Sequence, residues 1–457
     1  MGDSVQFART LKDRYDIDYE NRMGALGITH KVILGTKAVW RSTIALSAAE
    51  ATRQAVYKDT LDTRFDVTQK LKEDDLYKES RLSIKSSLVH KLGGSGTIEV
   101  GGYGTRMGFG LRSVFQLPLD TVTNIIPRTA VSGHTWLFQP YARVRKRIGS
   151  RLDVEAGLHA MSLDLNKSFV IEPRAKARYQ ITSKHAVALA YGMHSQMQPL
   201  SLYFSPVPRG DDSTFINRNL GFTRAHHAVL SYTFRYNPSL SLKIEPYAQL
   251  LFNVPIIDRP ESNISALNLL EEIVTDTFSN TGTGRNYGVD MSIEKTLNKD
   301  YYFLFSGSYY QSTYVGGDGE ERDTRYNGNY SIALTGGKEF IRNRADFQGI
   351  WAIDARIFAR GGQREKRIDN VASQAAGRTV YIETFGFSDQ LPSYLRIDLR
   401  LSHTRHRANY TRTFAIDLQN VMGRENVAYR YFDVVSGEVQ TRSQLGLIPM
   451  LTYRVSF

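Results

Sequence analysis

Four carboxylates, Asp318, Glu320, Glu321 and Asp323, crowd the glycine-rich stretch 316–319. Carboxylates this close are oxygen ligands suited to Ca2+, but their spacing lacks the calcium-loop pattern, so a solvated surface loop is the simpler expectation. His226 and His227 offer two imidazoles. Successive strand residues point to opposite faces, so this pair cannot chelate one ion without partners from other strands. Gly282, Gly284 and Gly288 form a G-x-G-x3-G, one residue off the dinucleotide fingerprint, which needs a helix after it. The alternation of Tyr287, Val289, Met291 and Ile293 stands in that place instead, and the reading is a strand. Glu245, Asp354, Arg356, Arg396, Asp398, Arg400 and Asp417 would suit acid–base work, yet no nucleophile–base pair stands at a recognisable spacing. On neighbouring strands such charges are expected to form cross-strand ion pairs. No residue is assigned to catalysis, to a cofactor or to a metal.

The elements that carry these residues have a period of two. Leu445, Leu447, Pro449, Leu451, Tyr453, Val455 and Phe457 lie on one face of a strand, with Gln444, Thr452, Arg454 and Ser456 on the other. Leu395, Ile397, Leu399 and Leu401 alternate with Arg396, Asp398, Arg400 and Ser402, and Leu230, Tyr232, Phe234 and Tyr236 with Ser231, Thr233 and Arg235. Short connections at 34–37, 93–96, 148–151, 182–184, 237–239, 298–300 and 405–409 alternate with long polar stretches at 116–133, 197–223, 252–283, 315–328 and 362–391. The count is about 17 strands, with boundaries good to a few residues. Only 265–276 has a pattern that predicts a short helix.

The composition narrows the class. There is no cysteine among 457 residues, which excludes disulfide scaffolds and thiolate metal sites. No run of roughly 18 apolar residues is present, so no helix would cross a membrane. The formal charge is +12, from 58 Lys+Arg and 46 Asp+Glu, but basic and acidic residues are interleaved. Only 143–147 is a dense basic cluster, and a nucleic-acid partner is not expected. Met1, Gly2, Asp3 and Ser4 lead into Lys12, Asp13 and Arg14 without an apolar stretch, so no secretory signal is expected in this chain.

So many antiparallel strands fit a soluble sandwich or propeller, or a membrane barrel. Strands of ten or more residues, greasy on one side and charged on the other, match the barrel, whose strands span roughly 9–11 residues with a polar lumen. Tyr141, Tyr191, Tyr203, Phe204, Tyr301, Tyr302, Tyr394 and Phe457 stand near segment ends and fit interfacial girdles. Both the first strand and the last run towards a short-turn end, so the count is odd, whereas closed bacterial barrels normally have an even count. Strands are therefore expected to be missing upstream of about residue 15.

Glu172-Pro173-Arg174, 190–200 (AYGMHSQMQPL), 282–295 (GTGRNYGVDMSIEK), 325–330 (RYNGNY), 336–340 (GGKEF), 391–402 (LPSYLRIDLRLS), 417–427 (DLQNVMGRENV) and 445–457 (LGLIPMLTYRVSF) resemble, in order and spacing, the C-terminal part of a TonB-dependent outer-membrane receptor of the Bacteroidetes type. The resemblance runs over nearly the whole chain.

It implies an antiparallel transmembrane β-barrel of 22 strands, incomplete here, plugged by an N-terminal domain and coupled through a short box to an energy-transducing partner. Residues 1–457 would be the C-terminal portion of that barrel, without the plug, the box, the signal peptide or about five first strands. The implied function is receptor-mediated, energy-coupled transport of a bulky nutrient (siderophore, glycan, peptide or cobalamin) across the cell outer membrane, with no enzyme activity. The alternatives are a non-transporting barrel remnant and a passive outer-membrane channel. The implied partners are outer-membrane lipid and lipopolysaccharide, the barrel assembly machinery reading the strand that ends in Phe457, a TonB-type coupling protein for the full-length form, and a surface lipoprotein. Sequence alone leaves the ligand-binding residues unknown. Tyr203, Phe204, Arg209 and Phe385 qualify by chemistry alone.

Overall fold

The computed structural model describes residues 15–59, 68–93, 95–116, 125–209, 212–270, 274–298 and 300–457. The N-terminal reading on residues 1–14 lies outside them. Seventeen long strands, the 18 of the main sheet less the three-residue Glu321–Asp323, form one antiparallel meander. They are β1 (Tyr15–Leu34), β2 (Ala38–Asp59), β3 (Thr68–Leu92), β4 (Gly96–Gln116), β5 (Ile125–Ile148) and β6 (Leu152–Leu163). Next come β7 (Ser168–Gln180), β8 (His185–Gln196), β9 (Thr223–Asn237), β10 (Leu240–Ile256), β11 (Ser279–Asn298) and β12 (Tyr301–Val315). The last are β13 (Tyr330–Asn343), β14 (Gln348–Arg360), β15 (Tyr394–His406), β16 (Thr411–Gln419) and β17 (Ile448–Ser456). Each pairs with the next. Among the described residues β1 pairs with β2 alone and β17 with β16 alone.

The alternation read in the sequence separates two chemically different faces. One carries Leu158 (57% exposed), Ile171, Leu189, Leu230, Ile353 and Leu451 (75% exposed), all open on the outside of the sheet. A continuous apolar face of this extent is unfavourable against water and favourable against hydrocarbon. The other face carries the charged residues, and strand register brings Asp354, Arg400 and Asp417 side by side across β14, β15 and β16.

At one end the connections are tight. Gly35 and Gly149 adopt φ of +61° and +60°, which side-chain-bearing residues resist. The 344–347 turn between β13 and β14, closed by Arg344 N–H donating to Phe347 O at 2.9 Å, belongs to this series and carries no Gly or Pro that would have marked it.

Several boundaries differ from the sequence reading. The stretch 116–133 is mostly strand, since β4 runs to Gln116 and β5 starts at Ile125. Among the described residues of 265–276 the helical structure is a single 3-10 turn, Ala266–Asn268, capped by Ser265 Oγ accepting from Leu267 N–H. The turn is held across the sheet mouth by Asn268, whose Oδ1 accepts from Arg325 N–H at 3.0 Å and whose backbone O accepts from Arg325 Nη1 at 3.1 Å. Residues 420–447 form a further long loop with its own hairpin, Val427–Asp433 against Glu438–Ser443. Of the expected girdle aromatics, Tyr191, Tyr301 and Phe457 are exposed on the outside, whereas register turns Tyr141, Tyr302 and Tyr394 inward.

Candidate functional site

The long loops do not stand free. Loop 197–222, between β8 and β9, folds into the mouth of the sheet. Its short helix Leu200–Tyr203 presents Leu202, Tyr203 and Phe204 to Met107, Phe109 and Leu111 on the inward face of β4, forming the principal apolar core. The Phe204 and Phe109 ring centres are 4.6 Å apart, and Thr129 Oγ1 donates to Phe204 O at 3.0 Å. Burial pushes the Tyr203 phenol above its ordinary 10. Tyr203 (0% exposed) and Phe204 are therefore anchors, which corrects their reading as ligand contacts or girdle residues. Loop 257–278 is tied on top: Asn217 Nδ2 donates to Asp276 O at 2.8 Å, and Phe278 N–H donates to Asn217 Oδ1 at 2.9 Å.

A second group of loops, 316–329, 361–393 and 420–447, is clamped by arginines. Arg364 pairs with Asp323 at 3.0 Å and donates to Asn327 O at 3.0 Å. Arg430 binds Glu365 and, at 3.3 Å, Asp389, which also accepts from Arg367 at 3.0 Å. Three of the four carboxylates of the acidic cluster are engaged here: Asp318 pairs with Arg322 at 2.8 Å, Glu321 accepts from Thr313 Oγ1 at 2.6 Å, and Asp323 holds Arg364, while Glu320 is exposed. Among the described residues no group of three or more His, Asp or Glu is placed to hold a metal ion. Phe385 is half exposed beneath Arg367, 5.1 Å from its guanidinium, whereas the Arg209 side chain lies outside the described residues.

Asp389 gives this clamp a pH dependence. Burial pushes its carboxyl up, but the Arg367 and Ser388 hydrogen bonds and the charges of Arg367 and Arg430 outweigh it and hold the group below its ordinary 3.8. A depressed carboxylate stabilises fully above its unfolded value, and that contribution is lost as pH falls through the folded value. Loop 361–393 is thus expected to become sensitive to pepsin only below about pH 4. Asp389→Asn should be cleaved at higher pH and show a flatter profile; equal profiles would dismiss the clamp.

Below the loops the inward wall sorts its charges. A recess of about 580 Å3 is lined by Lys85, Arg143, Arg174 and Lys176 together with Glu99 and Tyr141. Glu99 accepts from Arg143 at 2.6 Å and from Tyr141 Oη at 2.8 Å. Behind it the buried Glu172 is held by His159 at 2.6 Å and Arg174 at 2.7 Å. The adjoining recess, about 690 Å3, is lined by Glu245, Tyr247, Gln249, Asn286, Asp290 and Tyr310. His227 borders both, its ring centre 4.6 Å from that of His194. Its neighbour His226 points outward, bonding Tyr191 Oη at 2.9 Å and stacking on Phe252. The two histidines are on opposite faces, as alternation requires.

Of the inward charges named from sequence, all but Arg356 are paired or hydrogen-bonded to described residues, though not all across strands, and Arg356 lies over the Phe358 ring at 5.9 Å. Arg400 reaches Asp417 across the ladder at 2.7 Å, but Arg396–Asp398 and Lys243–Glu245, both at 2.6 Å, join residues two apart on one strand. Asp354 accepts from Tyr302 Oη at 2.8 Å. Residues i and i+2 share a face, and a long basic side chain spans that gap as easily as the gap to the next strand. In the basic cluster 143–147, Arg143 is matched by Glu99 and Arg147 by Asp153. Sequence reasoning missed His159, Glu172, His194 and Tyr247 as parts of the wall. Each sits at the inward phase of its strand, the one signal that would have found them. Gly288 is also inward, where a Cβ would stand 2.5 Å from Tyr309 O and 2.9 Å from Tyr247 Oη, so close strand packing accounts for it without a dinucleotide.

No family model matches the chain, and no curated protein matches it in sequence. Solved structures do resemble it. The ferric-catecholate import receptor of E. coli K12 superposes with a TM-score of 0.67 at 13% identity, covering 96% of this chain and 64% of that one. The fold is that of an outer-membrane receptor barrel. The ferripyoverdine receptor of the Pseudomonas aeruginosa outer membrane gives 0.67 at 11% identity, covering 95% of this chain and 56% of that one. The outer membrane transporter YddB of E. coli gives 0.65 at 13%, covering 96% and 63%. This barrel chain thus spans less than two thirds of the length of each of these proteins.

Proposed function

We propose that this chain forms the wall and the folded outer loops of an energy-coupled, TonB-dependent uptake receptor of the Bacteroidetes type. The observation that carries the reading is the combination of an apolar outer wall, a lumen lined by paired charges, and long loops at one end packed back into the mouth. A wet, charged lumen sealed by ordered loops suits a bulky polar cargo taken from outside, and it suits the charged surface of a plug domain. The similar solved structures are named as receptors or transporters, several of them for ferric chelates, which supports uptake without choosing the cargo.

Strand direction supports a longer parent protein. β1 and β17 both run towards the tight-turn end, so an odd number of further strands is needed to close an antiparallel barrel. Five would complete a barrel of about 22. The plug, the coupling box and these strands would come from polypeptide outside this chain. Lipopolysaccharide around the rim, a surface lipoprotein over the loops and an assembly machinery reading the exposed Phe457 complete the proposal.

The test is the intact mass of the native protein from the outer-membrane fraction, together with cargo uptake in the presence and absence of the coupling protein. A mass well above 51.7 kDa with additional N-terminal peptides, and uptake abolished without the partner, is the expected result. A mass of 51.7 kDa with ion conductance in planar bilayers would replace active uptake by a passive channel.

A further inference from the structure

The outward face of β4 is nearly bare. Residues two apart share a face, so Val100, which is half exposed, fixes Gly102, Gly104, Arg106, Gly108 and Gly110 as outward. Packing does not explain all of these glycines. A Cβ on Gly104 would touch only the Phe138 ring edge at 3.7 Å, and one on Gly110 only Lys78 Cβ at 3.6 Å, both ordinary contacts. Glycine weakens a strand interior and often marks close approach of another molecule. Here its effect is a furrow up the outer wall.

The lower part of the furrow is an apolar recess of about 510 Å3. Trp136 stacked on Phe138, with ring centres 5.6 Å apart and planes 6° apart, forms one side, and Ile84 and Leu88 of β3 form the other. The upper part, about 790 Å3, is bordered by Lys78, Arg106, Ser80 and His134. Arg106 lies level with Leu82 and Trp136, and above this level the outward residues turn to Gly, Ala, Ser and charge. Lys78 is already matched by Glu50 at 2.8 Å and Arg112 by Asp74 at 2.5 Å. The Arg106 side chain is exposed and makes no ion pair or hydrogen bond with another described residue. A lone guanidinium at the top of an apolar band is a site of charge complementarity for an anion at headgroup depth.

We propose that this furrow binds a phosphate-bearing lipid of the surrounding leaflet, with an acyl chain between the Trp136–Phe138 stack and Ile84–Leu88 and a headgroup phosphate on Arg106. The apolar slot and the cation above it stand in the order that such a lipid presents them. The site requires only that the barrel lie in a membrane, and it is independent of whether the protein takes up a cargo.

Native mass spectrometry of the detergent-purified protein tests this, using bisphosphorylated lipid A, its dephosphorylated form and inorganic phosphate as probes. The expected result is retention of the phosphorylated lipid, with little of the dephosphorylated form and none of the free phosphate. Arg106→Gln should lower the lipid-bound fraction at least about tenfold. Gly104→Leu, which fills the slot and leaves the charge, should lower it as well. Equal retention by Arg106→Gln, equal retention of the dephosphorylated lipid, or no retention by the parent protein would overturn the proposal. Gel mobility before and after heating reports folding for each variant, and Arg106→Gln decides alone if Gly104→Leu does not fold. A failure of cargo uptake would leave these lipid measurements unchanged.

Discussion

Replacing Phe204 by alanine is expected to release loop 197–222 from the barrel mouth while leaving the strands intact. The ring is buried against Phe109 in the principal core, and truncating a buried Phe costs roughly 3–5 kcal/mol. Leu202, Tyr203, Leu220 and Phe222 share that core, and polar ties add to it: Thr129 Oγ1 on the Phe204 carbonyl, Asn166 Nδ2 on Leu220 O at 2.6 Å, and the Asn217 bonds to the neighbouring loop, but Phe204 is the ring that meets Phe109 on the barrel wall. Limited proteolysis should therefore cut within 197–222 in Phe204→Ala and spare it in the parent protein. Phe109→Ala, from the barrel side, should give the same cleavage, and the double variant should cost less than the sum because both act on one contact. Phe385→Ala, at a half-exposed ring, is the control expected to change little. Equal protection of the loop in Phe204→Ala would mean that the core does not hold it.

The second large effect concerns Glu172. Its carboxylate is buried in the lumen wall between His159 and Arg174. Removing one partner of a buried charge pair is costly because the other is left without compensation. Arg174 is 45% exposed and can partly rehydrate, so roughly 2–3 kcal/mol, below the full cost of a dry pair, is expected for Glu172→Leu. Thermal unfolding in detergent should show this as a clear drop in midpoint. Glu172→Leu combined with Arg174→Met should recover much of the loss, since no unmatched charge then remains. Glu155→Gln, at a more exposed carboxylate on the same wall, should leave the midpoint nearly unchanged. If Glu172→Leu were as harmless as Glu155→Gln, the charges of the wall would be incidental to its stability.

The two predictions draw on different levels of the molecule. Glu172 lies in a strand whose alternation is read directly, so its inward position follows from phase alone. Its partner His159 is on the neighbouring strand, and register places the two opposite each other. The position of Phe204 follows from nothing local. Loop 197–222 has no period, and its aromatic residues look equally suited to an exposed vestibule. Contact with β4, some ninety residues earlier in the chain, is what buries them. The same holds for the arginine clamps. Arg430 meets Glu365 across a separation of 65 residues, and Asn263 reaches Glu383 O across 120. The 344–347 turn escapes sequence reading for a smaller reason: it carries neither the Gly nor the Pro that marks a turn strongly. The 427–443 hairpin does carry one, Gly437 at φ +71°, but its strands of seven and six residues are short beside those of the barrel.

The residues alone specify the strands, their number near seventeen, their inside and outside, and the alternation of tight turns with long loops. These follow from a period of two and from turn chemistry, both local properties of the backbone. Tertiary contacts settle the rest: which loop residues are anchors, which charges pair along a strand and which across it, where the basic and tyrosine-rich sectors of the lumen meet at His194 and His227, and that the glycines of β4 open a furrow to the outside. Those outcomes depend on strand curvature and on contacts between segments tens to hundreds of residues apart, and no local pattern encodes such distances.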